Sequence, residues 1–292
     1  CNNQCALTNP AVEERCNGFL DLCGGDAEVR LFRPRDHTPF AGISPSRARV
    51  MDRVATLTRL CSERPPWLVV SARALLDRLP PRDALTSSLI TLRRGERIDR
   101  ERLVDALVAG GYHRVPMTTD PGSFSIRGGL IDCFAPTWPA PVRVDCWGDE
   151  IEGLRFFEPE TQRTLETVDE VHVGPAREIL FTDATVARAQ GALRELADAQ
   201  EIPTRKARRV LDAVGQRTLE VGMEDLLPAF YDGLDGLFDY VSADAKWFID
   251  DPEACAERTE RETMESELGM LEAKKIVPGA KHQSLWLGHK YC

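Results

Sequence analysis

Residues 121–157 read PGSFSIRGGLIDCFAPTWPAPVRVDCWGDEIEGLRFF and carry the clearest β-sheet pattern in the chain. Segment 142–147, VRVDCW, alternates apolar and polar residues, as a β-strand with one buried face does. Short turn signals stand at Gly128-Gly129 and at Gly148-Asp149, between segments that are rich in apolar residues. Such glycine-containing pairs are typical of tight β-hairpins. The stretch therefore predicts consecutive antiparallel strands in a small sheet.

The alternation also predicts which side chains of segment 142–147 share a face. One face carries Arg143, Asp145 and Trp147, and the other carries Val142, Val144 and Cys146. A half-buried strand needs a polar outer face, but it does not need a large aromatic residue there. An Arg, a carboxylate and an indole in a row are residue types that anchor protein–protein interfaces. The alternative is a solvated face with a cross-strand ion pair and a Trp packed under a loop.

Two runs, FSIRGGLIDCFA at residues 124–135 and VRVDCWGDEIEGLRFFEPETQRTLETVDEVHVGPARE at residues 142–178, carry a family resemblance. They resemble the second domain of the UvrB-homology module of bacterial transcription-repair coupling factors (Mfd). The resemblance continues upstream through SPSRARVMDRVATLTRL, residues 44–60, and downstream to HQSLWL, residues 282–287.

The resemblance implies an α/β fold with two domains. The first is a degenerate P-loop-NTPase-like (UvrB-like) parallel-sheet domain formed by residues 1–88 and 175–292. A small α+β domain, residues 89–174, is inserted into it and corresponds to the UvrA-binding domain. The residues favour the same division. A stripe of Val50, Val54, Leu57 and Cys61 predicts an amphipathic helix over 46–62, and a buried strand over 67–70 with the helix after it forms a strand–helix unit typical of parallel sheets. From about residue 89 to residue 174, short alternating strands replace this pattern.

Further elements are predicted on either side of the proposed insert. Ser71 is expected to cap a helix that ends at Leu79, and helices are predicted over Arg100–Ala109 and Asp183–Ala199. The apolar run Ala245–Ile249 predicts a buried strand that ends in Asp250-Asp251 and resembles a remnant of a Walker B strand. Asp251 and the Pro after it predict the start of a largely solvent-exposed helix that reaches about residue 275.

Composition excludes several classes of protein. The chain has 292 residues, of which 42% are hydrophobic, and no apolar run approaches the roughly 18 residues of a membrane span. A formal charge of −10 opposes a surface built for phosphate backbones, so we expect weak or no DNA binding. The chain begins with Cys and shows no signal-peptide pattern, which predicts a cytoplasmic fragment with reduced cysteines.

Motifs for catalysis are absent from the sequence. ATP hydrolysis would need a Gly-rich loop that ends in Lys-Ser/Thr, because backbone amides cradle the phosphates and the Lys neutralises them. No such loop is present, and neither a CxxC pair nor an HExxH helix signals a metal site. His37, His113 and His172 are predicted to be ordinary surface or hydrogen-bonded histidines. We therefore expect no catalytic residue, no cofactor and no metal.

The resemblance implies a docking function, because the second domain in this family recruits UvrA to a stalled transcription complex. The family's interface positions fall on Arg127, Arg143, Asp145, Trp147 and Arg114. Arg127 and Arg143 are expected to donate charge-assisted hydrogen bonds to UvrA carboxylates, with Trp147 as the apolar centre. Ser125 stands where UvrB has an Arg, which leaves one fewer ion pair available to the contact.

The resemblance implies further partners and leaves alternatives open. Besides UvrA, the implied partners are the motor and C-terminal domains of the parent protein, and RNA polymerase only through domains that this chain lacks.

One alternative function is that of a fragment of a UvrB-type ATP-dependent DNA helicase. The missing phosphate loop disfavours it, as does the absence of any Tyr in segment 33–47, where UvrB has a DNA-wedging hairpin. Another is a structural or autoinhibitory scaffold without a partner.

Overall fold

A computed structural model describes residues 28–36, 43–62, 66–249 and 251–276, and its side chains as far as residue 264. The strands are β1 (Val29–Phe32), β2 (Trp67–Val70), β3 (Ile90–Arg93), β4 (His113–Arg114), β5 (Ser123–Arg127), β6 (Leu130–Phe134), β7 (Val142–Trp147), β8 (Glu150–Phe157), β9 (Thr164–Val168) and β10 (Glu170–Val173). The helices are α1 (Arg47–Leu60), α2 (Ala72–Leu75), α3 (Arg82–Ser87), α4 (Arg100–Ala109), α5 (Asp183–Ala199), α6 (Thr204–Gly215), α7 (Leu227–Phe230), α8 (Leu237–Tyr240) and α9 (Pro252–Ile276), with a 3₁₀ turn at Met223–Leu226. The fold is mixed α/β, as predicted.

The first part of the fold is a parallel pair, β1 and β2, covered by α1. Ser46 caps α1 by accepting a hydrogen bond from the backbone N–H of Arg49, and the predicted stripe buries Val54 and Leu57 completely. Ser71 caps α2 as predicted, but the helix ends at Leu75 and not at Leu79. It stops early because the backbone of Leu79 pairs with that of Asp235.

The predicted antiparallel strands form a six-stranded sheet in the order β4-β5-β6-β7-β8-β9. The pair β4 and β5 is parallel, and the other neighbours are antiparallel. One face of the sheet packs on α4, whose Leu103 and Leu107 lie in a core with Phe124, Val142 and Leu154. Burial of these side chains is the main force that holds α4 on the sheet.

Strands β3 and β10 pair antiparallel with each other next to this sheet. Arg93 and Glu170 form an ion pair across them, with their nearest N and O atoms 2.5 Å apart. The chain therefore enters and leaves the sheet region at neighbouring positions. This geometry suits an insert, although the two-domain division itself stays a prediction.

The helices after the sheet form a separate hydrophobic core. Helix α5 has the predicted bounds, because Thr182 caps it by accepting from the backbone N–H of Thr185. Its Ala189 and Leu193 pack in a cluster with residues of α6 and α7. Among the helices of the described residues, none combines the length and the apolar character that a membrane crossing requires.

The predicted strand Ala245–Ile249 is wrong, since the structure has no strand there. A turn at residues 242–245 and a ring contact of 4.9 Å between Phe238 and Trp247 hold the segment beside α8. Phe248 is 77% exposed as a result. Asp250 lies outside the described residues, and Asp251 caps α9, whose described side chains are mostly exposed as predicted.

Candidate partner-binding face

The alternation predicted for β7 is confirmed. Val142 and Val144 are buried in the sheet core, and Cys146 packs against that core. Arg143, Asp145 and Trp147 lie on the opposite face, away from α4. Together with Arg127, Asp132 and Arg155 they form a surface that we call the arginine face.

A buried carboxylate organises the centre of the arginine face. Asp132 on β6 is 1% exposed and lies directly opposite Arg143 in the sheet. Arg143 donates to both carboxylate oxygens of Asp132, with N–O distances of 2.7 and 2.8 Å. Arg127 donates from Nη2 to one of the same oxygens at 2.6 Å. Two guanidinium groups therefore share one buried carboxylate, and such charge-assisted bonds are the strong ones in proteins.

Arg143 is held from two further directions, so it is only 9% exposed. Its guanidinium carbon lies 4.4 Å from the centre of the Phe157 ring, within cation–π range. Its Nη2 also donates to Oε1 of Gln162 at 2.6 Å, and Gln162 in turn donates to the carbonyl of Pro159 at 2.7 Å. The hydrogen bond to Asp132 raises the pKa of Arg143. Its side chain is therefore preorganised, and most of its surface is covered within the chain.

Asp145 is also paired within the chain. Both of its carboxylate oxygens accept from Arg155 on β8, the longer of the two contacts measuring 3.2 Å. The register brings Arg155 directly opposite Arg143, so three guanidinium groups lie on neighbouring strands against two carboxylates. These five side chains have a net charge of +1, and the exposed Glu150 lies opposite Trp147 at the end of the same face.

Trp147 is the most exposed part of the arginine face, at 78%. It ends β7 just before the turn at Gly148, where φ is +61°. The adjacent hairpin passes close by, because the backbone N–H of Cys146 donates to the carbonyl of Gly129. A Cβ on Gly129 would lie 2.7 Å from the Cys146 carbonyl oxygen, so only glycine fits there. A large indole is thus presented to solvent on a tightly built turn.

Arg114 does not join the other four predicted residues. It lies on β4, where it pairs with Phe124 of β5, and the parallel register puts both residues on the core side of the sheet. Arg143 lies on the opposite side. Arg114 is exposed at the sheet edge and could contact only a partner that wraps around that edge.

Sequence reasoning missed Asp132 and Arg155 of the arginine face, and also Gln162, which contacts Arg143 from the loop after β8. Asp132 had a local signal, since it is an acidic residue within the apolar run of β6. Arg155 and Gln162 had none, because their roles depend on strand register and on the loop after β8. Gln162 adopts a positive φ of +61°, which turns its side chain back over Arg143.

The cysteines and histidines that the structure describes offer no reactive arrangement. Burial raises the pKa of the Cys133 thiol, which favours the unreactive protonated form. His172 contacts Thr91 and Glu170 on the pair β3 and β10, and His37 lies outside the described residues. Within the described part of the chain, no group of three or more His, Cys, Asp or Glu residues could hold a metal ion.

Residues 90–179 match the family model of the UvrB interaction domain. The chain is 39% identical over 276 residues to the transcription-repair-coupling factor of Myxococcus xanthus. This alignment covers 90% of the chain and 23% of that protein. The chain is 29% identical over 253 residues to the Escherichia coli K12 factor, covering 85% of this chain and 21% of that protein. The chain thus spans less than a quarter of the length of these curated relatives. It belongs to the family of bacterial transcription-repair-coupling factors.

Proposed function

We propose that this chain is a non-catalytic docking module that binds UvrA through the arginine face. The observation that carries the proposal is an exposed indole on the same strand face as guanidinium groups that Asp132 holds in place. Arg and Trp are the residues that most often dominate binding energy at protein interfaces. The match to a UvrB interaction domain supports a protein–protein role for the same residues.

Arg143 and Arg127 differ in exposure, and we assign them different roles on that ground. Arg143 is nearly covered and holds Asp132, so its main contribution is to orient the face. The Arg127 side chain is 41% exposed, and its Nη2 donates to Asp132 at 2.6 Å and, at 3.4 Å, to Oε1 of Gln162. We expect Arg127 to receive an acidic side chain of UvrA and Trp147 to enter an apolar pocket beside it.

Calorimetric titration with UvrA from a related bacterium tests this assignment. Trp147→Ala should weaken binding by about 2 kcal/mol or more, roughly 30-fold, if the indole becomes buried at the interface. Arg127→Ala should weaken binding and reduce its dependence on salt, because it removes a partly exposed charge. Arg102→Ala is the matched control, since Arg102 is exposed on α4 at the opposite side of the sheet.

A folded Trp147→Ala variant that binds UvrA as tightly as the parent would remove the indole from the interface. If the parent itself fails to bind, a structural scaffold becomes the better explanation. One observation favours that second function, namely that Asp132, Arg143 and Gln162 already satisfy one another. Binding would then be tested against the remaining part of a full-length relative.

The activities of a complete coupling factor are a wider proposal. We propose that other parts of the parent protein, its motor and C-terminal domains among them, carry out ATP-driven movement and contact RNA polymerase. This chain supplies only the recruiting surface, without cofactor or metal. ATPase measurements on the isolated chain and on the complete protein separate the two contributions.

A further inference from the structure

A largely enclosed cavity of about 50 Å³ lies outside the arginine face. It is bounded by α1, by the segment that follows β10 and by the turn Met223–Leu226. Its charged lining consists of Arg35, Arg53, Arg177, Glu178 and Glu224. Three guanidinium groups therefore face two carboxylates around a small space.

The carboxylates of this cavity are already engaged. Glu178 accepts from Nε of Arg53 at 2.8 Å and from Nη2 of Arg35 at 2.5 Å. Glu224 accepts from the Ser44 hydroxyl at 2.6 Å. Burial alone would raise the pKa of Glu178, but the two arginines outweigh it and lower the pKa to about 2. Both carboxylates of the lining therefore already accept hydrogen bonds from side chains of this protein.

Two guanidinium groups keep donors without an acceptor. Arg53 is 1% exposed, and its Nη2 is buried with no hydrogen-bond partner. Within the described residues, Arg177 makes no hydrogen bond, although its guanidinium lies 5.1 Å from the Phe181 ring. Burial and the neighbouring Arg47 lower the pKa of Arg177 to about 10. Arg177 is partly exposed, whereas a fully buried donor such as Arg53 Nη2 is rarely left unpaired.

The position of Arg177 is set by close packing. A Cβ on Gly111 would lie 2.1 Å from the Arg177 Nε, and Gly111 has a φ of +95°. Only glycine leaves room for the guanidinium between this backbone and the Phe181 ring. The cavity is therefore built around a fixed cation.

We propose that this cavity binds a small tetrahedral oxyanion, such as phosphate or sulfate. A water-sized atom needs roughly 10–15 Å³ on this measure, so the volume holds about three to five such atoms. That number suits the four oxygens of the anion, which would accept from Arg53 Nη2 and from Arg177.

Titration of the intact chain with sodium phosphate, at constant ionic strength, tests the site directly. We expect saturable heat, and at ten times Kd a rise in melting temperature of about 3–6 °C over chloride. Arg177→Met should weaken phosphate binding at least tenfold. Arg102→Met should bind like the parent, because Arg102 lies exposed on α4.

Two outcomes would overturn the proposal. One is the absence of saturable heat in the parent, which needs no variant and shows that only water fills the cavity. The other is an equal rise in melting temperature for the parent and Arg177→Met, which indicates the general stabilising effect of such salts. UvrA binding is measured separately, so failure here leaves the docking proposal untouched.

Discussion

Replacing Arg143 with Ala tests whether the arginine face is a folding element as well as a contact surface. The change removes both bonds to Asp132, the bond to Gln162 and the contact with the Phe157 ring. It also leaves a carboxylate that is 1% exposed with Arg127 as its remaining charged partner. Breaking a buried ion pair costs about 3–5 kcal/mol, and the retained Arg127 reduces that cost. We expect the free energy of unfolding to fall by about 2–4 kcal/mol.

Urea unfolding followed by circular dichroism measures this loss, with Arg102→Ala expected within about 0.5 kcal/mol of the parent. A double-mutant cycle with Asp132→Asn isolates the pair. If the orphaned carboxylate causes the loss, the two substitutions should be less destabilising together than their sum by about 1 kcal/mol or more. An Arg143→Ala variant as stable as the control, or strictly additive substitutions, would refute the reasoning.

Three other expectations concern stability. The pKa of Glu178 is lowered to about 2 from an ordinary 4.5. The ionised Glu178 therefore contributes about 3 kcal/mol to the free energy of unfolding above pH 4.5, and this contribution is lost as the pH falls towards 2. The urea midpoint should be lower at pH 3 than at pH 5 in the parent, and it should change far less in Glu178→Gln. Gly129→Ala should lower the free energy of unfolding by about 1–3 kcal/mol, because the new Cβ would meet the Cys146 carbonyl oxygen. Gly191→Ala is the control in the same assay: Gly191 lies in a helix with open space around it, so the change should be neutral or stabilising. Equal effects of the two substitutions would contradict the packing argument. Trp147→Ala should leave the thermal midpoint nearly unchanged, since the indole is 78% exposed, and a large drop would show that the ring supports the fold.

The Arg143 result also bears on how binding experiments are interpreted. A loss of UvrA affinity in Arg143→Ala combines any lost contact with the disturbance of Asp132. Arg127 and Trp147 are better probes, because their side chains are more exposed and fewer contacts inside the chain depend on them. Binding data on those two positions therefore carry more weight for the docking proposal.

Elements with local signals could be predicted closely. Helix α4 begins after its Asp99 cap and α5 after its Thr182 cap, and both have the bounds expected from the sequence. A capping side chain bonds to a backbone group only a few residues away, so its effect is readable without the rest of the fold. The segment Ala245–Ile249 shows the opposite case. Its apolar run indicated a strand, but a strand needs a neighbouring edge, and the structure directs the segment elsewhere.

Alternation along segment 142–147 is enough to predict that Arg143 and Trp147 share one face of a strand, because the two-residue period is a property of the extended backbone. The surroundings of these two side chains depend instead on contacts between distant segments. The hairpin register put Asp132 opposite Arg143, and the loop after β8 brought Gln162 over the same guanidinium. Register also left Arg114 on the other side of the sheet. These relations join segments far apart in the chain, so their energies depend on packing and burial that no local pattern records.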